Sequence, residues 1–275
     1  MNEIEIKQQT EEEIKQKIKG CIIRPSVAVI EIGENDLNNE LIKKREESCN
    51  KTGIYFRHYK YEDTTPELTI INKIKELNND DYVDGVMIQF PIPEKYNEKR
   101  LVNTIINSKD INGQTDINIG RLISGRKTIT PIHALAIMSY LDEIDLIDKK
   151  IVIIYNNKTT IRSVGNILLN SGLDITLVNS NSANLENYIK SANVIISSAD
   201  TKDIIKEEWL NKDMYLIDAG ILLDKNKIVG DINYKKVSTI CNLLTGENGI
   251  CNIEDAMFLK NIIFCYENKK WWIKY

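Results

Sequence analysis

A glutamine at the end of an apolar run is the side chain best placed to do chemistry. The residues from Asp84 to Pro93 read DGVMIQFPIP, so an Asp-Gly turn precedes the apolar run and two prolines follow Gln89. Such a run is typical of a buried strand in a parallel sheet, and the ladder cannot continue through Pro91 and Pro93. Open α/β sheets bind ligands at the carboxyl ends of their strands. The amide of Gln89 is therefore predicted to face a ligand.

A second polar run follows this strand, with DING at residues 110–113 and NIGRL at residues 118–122. Asn112 has two interpretations. Its amide can contact a ligand, or it can serve as a turn residue, because Asn before Gly is frequent in tight turns. The sequence supports both equally.

Strands alternate with helices in the first half of the chain. This rhythm predicts a parallel sheet with right-handed crossovers. Thr65 is predicted to cap a helix that has Pro66 at its first position, and Gly53 is predicted to stop the helix before it. The predicted strands are 26–32, 54–61 and the run after Asp84, and the predicted helices are 36–51, 67–78 and 98–107.

A second α/β series begins near Thr130-Pro131. A short hairpin-like excursion ends at residues 229–231, and an amphipathic last helix is predicted to pack back on the first domain. Trp271 and Trp272 in the tail fit either an interface or ordinary terminal packing. The predicted strands are 150–155, 174–178, 193–197 and 214–218, and the predicted helices run from Pro131 to about Leu146 and over 161–171, 185–191 and 253–265.

Composition excludes several classes of protein. The chain has 275 residues, is 42% hydrophobic and 28% charged, and has a net charge of −4, so it lacks the basic footprint of a nucleic-acid-binding protein. Neither a membrane span nor a secretory signal is predicted. Five scattered cysteines and two histidines favour neither a metal site nor a disulfide framework, and they fit a reducing cytoplasm.

Together these runs resemble the methylenetetrahydrofolate dehydrogenase/cyclohydrolase (FolD) family over nearly the whole chain. Trp209, IDAG at 217–220 and KIVGD at 227–231 extend the resemblance. It implies a two-domain α/β fold. Residues 1–130 plus 253–275 would form a parallel-sheet catalytic domain that takes a folate, and residues 131–252 a Rossmann-type domain that binds NADP or NAD. It further implies a cytoplasmic homodimer.

The resemblance assigns catalytic positions, and this chain departs from the family at three of them. Relatives have a Tyr and, four residues later, a Lys on the first catalytic helix, where this chain has Leu41 and Arg45. An arginine stays protonated, whereas hydrolysis of a methenyl group requires a proton to move. Gln89 is unchanged, Pro91 and Pro93 are assigned to substrate binding, and Asn112 replaces an Asp that pairs with the pterin.

The cofactor loop also departs from the family. The resemblance assigns cofactor contacts to Tyr155, Asn157, Thr160, Arg162, Ala199 and Gly220. Tyr155 and Ile161 stand where relatives have glycines that let the backbone approach a pyrophosphate, and residues 199–202 replace a Gly-Lys-Pro-Gly run. Dinucleotide binding is therefore expected to be weak or lost.

Two functional hypotheses remain open. The first is an NAD(P)-dependent methylenetetrahydrofolate dehydrogenase that has lost the cyclohydrolase step. The second is a catalytically silent paralogue that binds a ligand or a protein partner. The whole-chain resemblance favours the enzyme, and the altered cofactor loop and Asn112 favour the silent protein.

Overall fold

The computed structural model of the protein describes residues 3–156, 159–225 and 227–269, without the side chains of Thr159 and Thr160. Within these ranges the chain alternates helices and strands. The elements of the first half are α1 (Glu3–Ile18), β1 (Ser26–Ile32), α2 (Asp36–Thr52), β2 (Tyr55–Tyr61), α3 (Glu67–Asn79), β3 (Gly85–Ile88), α4 (Glu98–Thr104) and α5 (Asp116–Ile123). Those that follow are α6 (Ile132–Leu141), β4 (Ile151–Tyr155), α7 (Thr159–Asn170), β5 (Ile175–Asn179), α8 (Leu185–Lys190), β6 (Val194–Ser198), β7 (Tyr215–Asp218), β8 (Leu222–Asp224), β9 (Lys227–Val229), α9 (Tyr234–Val237), β10 (Asn242–Leu243) and α10 (Cys251–Glu267).

The chain forms two compact units. Unit 1 contains Met1–Ile132 and Asp255–Tyr275, and unit 2 contains His133–Glu254. Unit 1 has a three-stranded sheet in the order β2-β1-β3, and unit 2 has a five-stranded sheet in the order β10-β7-β6-β4-β5. Every pair of neighbouring strands in these two sheets is parallel. The α/β class and the parallel sheets predicted from the sequence are confirmed.

The central strands are continuously apolar because both of their faces are covered. β1 and β3 are fully buried, and alanine, isoleucine and valine side chains on one face of them pack against α3 and α4. In unit 2, β4 is buried up to its last residue, Tyr155. The first and last residues predicted for the strands agree with the structure to within one residue. The predicted hairpin is the antiparallel pair of β8 and β9.

Several helix predictions need correction. Pro66 caps α3 instead of opening it, because its ψ of 134° is extended, and no side chain caps this helix. α4 ends at Thr104 and α6 at Leu141, both earlier than predicted. α1 and α5 were not predicted. The predicted stop at Gly53 is confirmed, with φ at 87°.

The last helix differs in character from its prediction. α10 packs in unit 1 as expected. Between Cys251 and Glu267, however, only Lys260 and Glu267 are exposed, so the helix is buried nearly all round and is not amphipathic. The interface role considered for Trp271 and Trp272 falls outside the described residues. Within the described ranges, no helix is long and apolar enough to cross a bilayer.

Two buried aspartates hold the loops at the carboxyl ends of the unit 2 strands. Asp218 ends β7, and its carboxylate accepts the backbone N–H groups of Asp231 (2.8 Å), Gly220 (3.2 Å) and Ile232 (3.2 Å). The Asp231 carboxylate accepts the Ser197 hydroxyl and the Ala199 N–H, both at 2.7 Å. Burial, reinforced by the neighbouring Asp231, raises the pKa of Asp218 to about 7.

The raised pKa of Asp218 predicts a pH-dependent stability. An aspartate titrates near pH 4 in the unfolded chain, so between about pH 4 and pH 7 the folded state holds a proton that the unfolded state does not. The stability from this group is therefore fully present below pH 4 and lost as the pH rises through 7. We expect the free energy of unfolding to fall by about 2 kcal/mol between about pH 5 and pH 7. Denaturant unfolding at a series of pH values measures this slope.

Asp218→Asn should reduce that slope because an amide does not titrate in this range, whereas Asp110 and Asp255, whose pKa values are also raised by burial, keep their own contributions. The exposed Asp213 lies in the same unit, so Asp213→Asn is the matched control and should keep the slope. An unchanged slope in Asp218→Asn would contradict the assignment.

Candidate active site

Helix α2 presents Leu41 and Arg45 on one face. The helix begins at its cap Asn35, whose side chain accepts the N–H of Asn38 at 3.0 Å. Residues four apart share a helix face, and Leu41 and Arg45 are only 6% and 5% exposed. The spacing inferred from the sequence therefore brings both side chains to the same covered surface.

The guanidinium of Arg45 lies among groups of unit 1. Its Nη1 donates a short hydrogen bond to Oε1 of Gln89. The same nitrogen lies 3.7 Å from Sδ of Met87, and the guanidinium carbon lies 5.3 Å from the centre of the Phe258 ring. The structure thus joins two of the predicted catalytic residues, Arg45 and Gln89, and adds the aromatic ring of α10 beneath the cation.

A residue that the sequence reasoning did not select, Asn38, orients Gln89. The Gln89 amide donates to the Phe90 carbonyl oxygen at 2.9 Å and to Oδ1 of Asn38 at 3.3 Å. Asn38 in turn donates to the Pro91 carbonyl oxygen at 2.8 Å and is fully buried. The available signal was its position three residues before Leu41, on the same helix face.

The residues predicted to contact substrate differ in their solvent exposure. Pro91 is exposed and Pro93 is half-buried, whereas Leu41 is buried. Leu41 supplies an apolar surface but no aromatic face and no hydroxyl. These residues flank the Arg45–Gln89 pair along the chain.

Asn112 is both a turn residue and an oriented amide. Its Nδ2 donates to the Ile88 carbonyl oxygen at 3.2 Å, which leaves its Oδ1 as the acceptor. Gly113 has φ at 64°, and a Cβ there would lie 2.7 Å from backbone atoms of residues 129–131, so only glycine fits. The two interpretations of Asn112 are therefore compatible.

Buried polar groups fix this loop. The Asp110 carboxylate accepts the Thr115 N–H at 2.7 Å and the Asn118 amide at 2.9 Å. Asn261 of α10 donates at 2.9 Å to the carbonyl oxygens of both Ile111 and Thr130. Asn112 is thus held at the end of β3 from two directions.

In unit 2, the strand order reverses between β4 and β6. β4 pairs with β5 on one side and with β6 on the other, which makes the carboxyl ends of β4 and β6 a topological switch point, the usual ligand position in such sheets. Tyr155 ends β4 half-buried, and Arg162 is exposed in the first turn of α7. Asn157 and the side chain of Thr160 lie outside the description.

The side chain of Ile161 does not occupy the space where a pyrophosphate would approach the backbone. Ile161 lies inside α7 and is fully buried, so its side chain packs into the core of unit 2 and not into the space before the helix. Tyr155 lies in a strand and Ile161 in a helix, so neither needs the left-handed torsion that would strain a non-glycine residue.

Within the described part of the chain, a hydrogen-bond acceptor without a donor, Oδ1 of Asn156, lies at the carboxyl ends of β4 and β6. The Asn156 amide donates to the Ala199 carbonyl oxygen at 2.6 Å. Its Oδ1 is buried and has no hydrogen-bond partner among the described residues. A buried acceptor without a donor is costly, and an N–H or O–H of a ligand would satisfy it. Together with the N-terminus of α7 and Arg162, this edge fits a dinucleotide.

The loop after β6 contains two residues in the left-handed region. Asp200 has φ at 47° and Asp203 has φ at 54°, torsions that glycine adopts more readily than aspartate. At Gly220 a Cβ would collide with the Asp231 carboxylate, so Gly220 is required by packing.

No cluster of three or more metal-ligating side chains occurs among the described residues.

Comparison with known proteins identifies the family. The chain matches the model of the tetrahydrofolate dehydrogenase/cyclohydrolase catalytic domain over residues 1–112 and that of the family's NAD(P)-binding domain over residues 128–270. The bifunctional protein FolD of Campylobacter hominis is 30% identical over 268 residues, which cover 96% of this chain and 94% of the relative.

Solved structures of the same family have the same fold as this chain. The bifunctional FolD enzyme of Campylobacter jejuni superposes with a TM-score of 0.88 at 28% identity, covering 97% of this chain and 96% of that one. The methylenetetrahydrofolate dehydrogenase of the silkworm, Bombyx mori, also has a TM-score of 0.88, at 26% identity, and the match covers 98% and 96% of the two chains. The chain belongs to the tetrahydrofolate dehydrogenase/cyclohydrolase family.

Proposed function

We propose that the protein oxidises 5,10-methylenetetrahydrofolate with NADP or NAD and has lost hydrolysis of the methenyl product. The observation that carries this proposal is the buried hydrogen bond between Arg45 and Gln89. It places a permanent cation at the position where relatives have a lysine. A guanidinium supports binding and charge, but it does not exchange protons.

The two steps of the family's chemistry make different demands on this position. Hydride removal depends mainly on holding two rings in the correct geometry. Hydrolysis requires water to attack a cationic carbon while a proton moves, which calls for a titratable group. Replacing an amine by a guanidinium therefore removes the second step and spares the first.

Substrate binding should be weaker than in relatives but retained. The Oδ1 of Asn112 accepts one N–H from the pterin edge, whereas a carboxylate accepts two. Losing a charge-assisted hydrogen bond costs about 1.5 to 3 kcal/mol. Leu41 packs against a ring without offering it a π-face.

A bound dinucleotide would supply the hydride acceptor. In unit 2, Arg162 and the N-terminus of α7 would hold its phosphates, and Oδ1 of Asn156 would accept a hydrogen bond from it. Without the glycines of relatives, the backbone approaches the pyrophosphate less closely, so we expect binding that is weak but measurable.

Calorimetric titration with NADP, NAD and a tetrahydrofolate tests this proposal, together with the appearance of reduced dinucleotide in the presence of 5,10-methylenetetrahydrofolate. We expect binding of one dinucleotide and of the folate, and slow reduction. If none of these ligands binds, the enzyme proposal fails and the silent-paralogue hypothesis takes its place.

We expect no enzyme-dependent hydrolysis of 5,10-methenyltetrahydrofolate by the parent protein, because a guanidinium does not serve as a proton-exchanging group. Arg45→Lys should raise the rate about tenfold or more, since positioned acid–base groups contribute about 100-fold to 10,000-fold. The loss of methenyl absorbance against a protein-free control measures it. Lys43→Arg changes an exposed residue of the same helix and is the matched control. Clear hydrolysis by the parent that disappears in Arg45→Ala would contradict the proposal.

Restoring the remaining family residues should improve folate binding. Arg45→Lys with Asn112→Asp returns an amine and a carboxylate, and adding Leu41→Tyr returns an aromatic face worth about 1 to 3 kcal/mol, by analogy with base stacking. We expect folate affinity to increase from parent to double to triple variant in calorimetry. A triple variant that binds no better than the parent would show that the site differs beyond these positions.

We also propose a homodimer formed through unit 2. β5 is an edge strand of its sheet, and Leu177 on it is 43% exposed, so the edge offers both backbone and apolar side chains to a second copy. Light scattering should give twice the chain mass, and Leu177→Lys should shift it toward the monomer. A monomeric parent would contradict this.

A further inference from the structure

Three side chains of unit 2 form a hydrogen-bonded series that the proposed function does not use. Nδ1 of His133 lies 2.7 Å from Oε1 of Glu254, and Nε2 of His133 lies 3.0 Å from Oγ of Ser198. Ser198 is 2% exposed and Glu254 6%, and the His133 side chain is 13% exposed. The histidine thus links a buried carboxylate to a buried hydroxyl.

This series ends at the ligand edge of the sheet. Ser198 is the last residue of β6, and its partner in the register is Tyr155, the last residue of β4. These two strand ends form the switch point described above. The next residues, Asn156 and Ala199, are joined by the 2.6 Å hydrogen bond that leaves Oδ1 of Asn156 without a donor. The serine hydroxyl and an unmet acceptor therefore lie on adjacent strand ends.

The contacts of His133 fix its chemistry. In the neutral tautomer that donates Nδ1–H to the Glu254 carboxylate, Nε2 is left to accept the Ser198 hydroxyl. A carboxylate that orients an imidazole, which in turn takes the proton of a hydroxyl, is an arrangement for general acid–base catalysis. Glu254 is the charged group that contacts His133 among the described residues.

Oxidation of 5,10-methylenetetrahydrofolate does not require the proton transfer that this series of side chains could carry out. Removing a hydride from a carbon between two nitrogens leaves a cation, and no heteroatom loses a proton. Removing a hydride from a carbon that bears a hydroxyl is different. The hydroxyl proton must leave as the carbonyl forms, and a base beside the hydride acceptor must take it.

We propose that Ser198, His133 and Glu254 form a proton relay that lets unit 2 couple its dinucleotide to the oxidation of a hydroxyl compound, and to the reverse reduction of a carbonyl compound. In the oxidation, the C–H pair of electrons goes with hydrogen to the nicotinamide, and the substrate O–H gives its proton to Ser198. Ser198 passes its own proton to Nε2 of His133, and Glu254 stabilises the imidazolium. The reduction runs the same transfers backwards. This inference rests on the dinucleotide binding of the proposed function.

The chain has only two histidines, His58 and His133, which makes the relay directly observable. In protein labelled with nitrogen-15 at histidine, His58→Gln assigns the signals by elimination. Trifluoroethanol, an acidic alcohol, is the probe. With NADP and trifluoroethanol together we expect the doubly protonated fraction of His133 at neutral pH to rise several-fold, while His58 stays unchanged. Ser198→Ala should abolish the response.

A kinetic readout uses the reverse reaction, with NADPH and trifluoroacetone, an activated ketone. We expect oxidation of NADPH that falls about 100-fold in His133→Gln, with NADPH affinity unchanged in calorimetry. His58→Gln is the matched control and should keep the parent rate. The Glu254→Gln variant should keep part of the activity and lose the charge-stabilised imidazolium signal.

Calorimetry separates the possible failures. If NADP binds but His133 does not respond and the ketone is not reduced, the relay proposal is overturned while the proposed function stands. If the parent does hydrolyse 5,10-methenyltetrahydrofolate and His133→Gln removes that activity, the relay serves water, and both the relay proposal and the proposed loss of hydrolysis are overturned. If no dinucleotide binds, both proposals fail.

Discussion

The hydrogen bond between Arg45 and Gln89 is the constraint on which the candidate site of unit 1 depends. Gln89 sits where β3 must end, and Asn38 and the Phe90 carbonyl orient its amide. Arg45 is held against that amide, with the Phe258 ring 5.3 Å away. A buried cation without partners would be costly, so the site is stable only with these contacts. The same contacts keep a permanent charge where proton exchange would be needed for hydrolysis.

The loops at the carboxyl ends of the unit 2 strands are held by contacts within the unit. Asp218 and Asp231 accept backbone N–H groups from the loops around Ala199 and Gly220, so buried carboxylates fix these loops. Asp200 and Asp203 then adopt left-handed torsions that glycine takes more readily. Contacts within this chain therefore hold both loops without a glycine-rich run.

The sequence predicted the strands well because apolar runs that stop at prolines are a local pattern, and the spacing of Leu41 and Arg45 predicted a shared helix face. The resemblance assigned catalytic roles to Arg45 and Gln89, and the fold shows the hydrogen bond that joins them. It did not predict Asn38, because a buried asparagine on a polar helix looks like an exposed one until its partner Gln89, after the end of β3, is known. The His133 series was missed for the same reason, since Ser198 and Glu254 are brought to it only by the fold. α1 was overlooked because its polar sequence gives a weak periodic signal.

The central claim is that this site oxidises its folate and leaves the product unhydrolysed. The most direct measurement is the identity of the product when the protein, 5,10-methylenetetrahydrofolate and NADP are followed over time by chromatography. The account predicts that 5,10-methenyltetrahydrofolate accumulates in step with reduced dinucleotide and converts onward only at the protein-free rate. Accumulation of 10-formyltetrahydrofolate from the start, faster than the protein-free conversion, would contradict it.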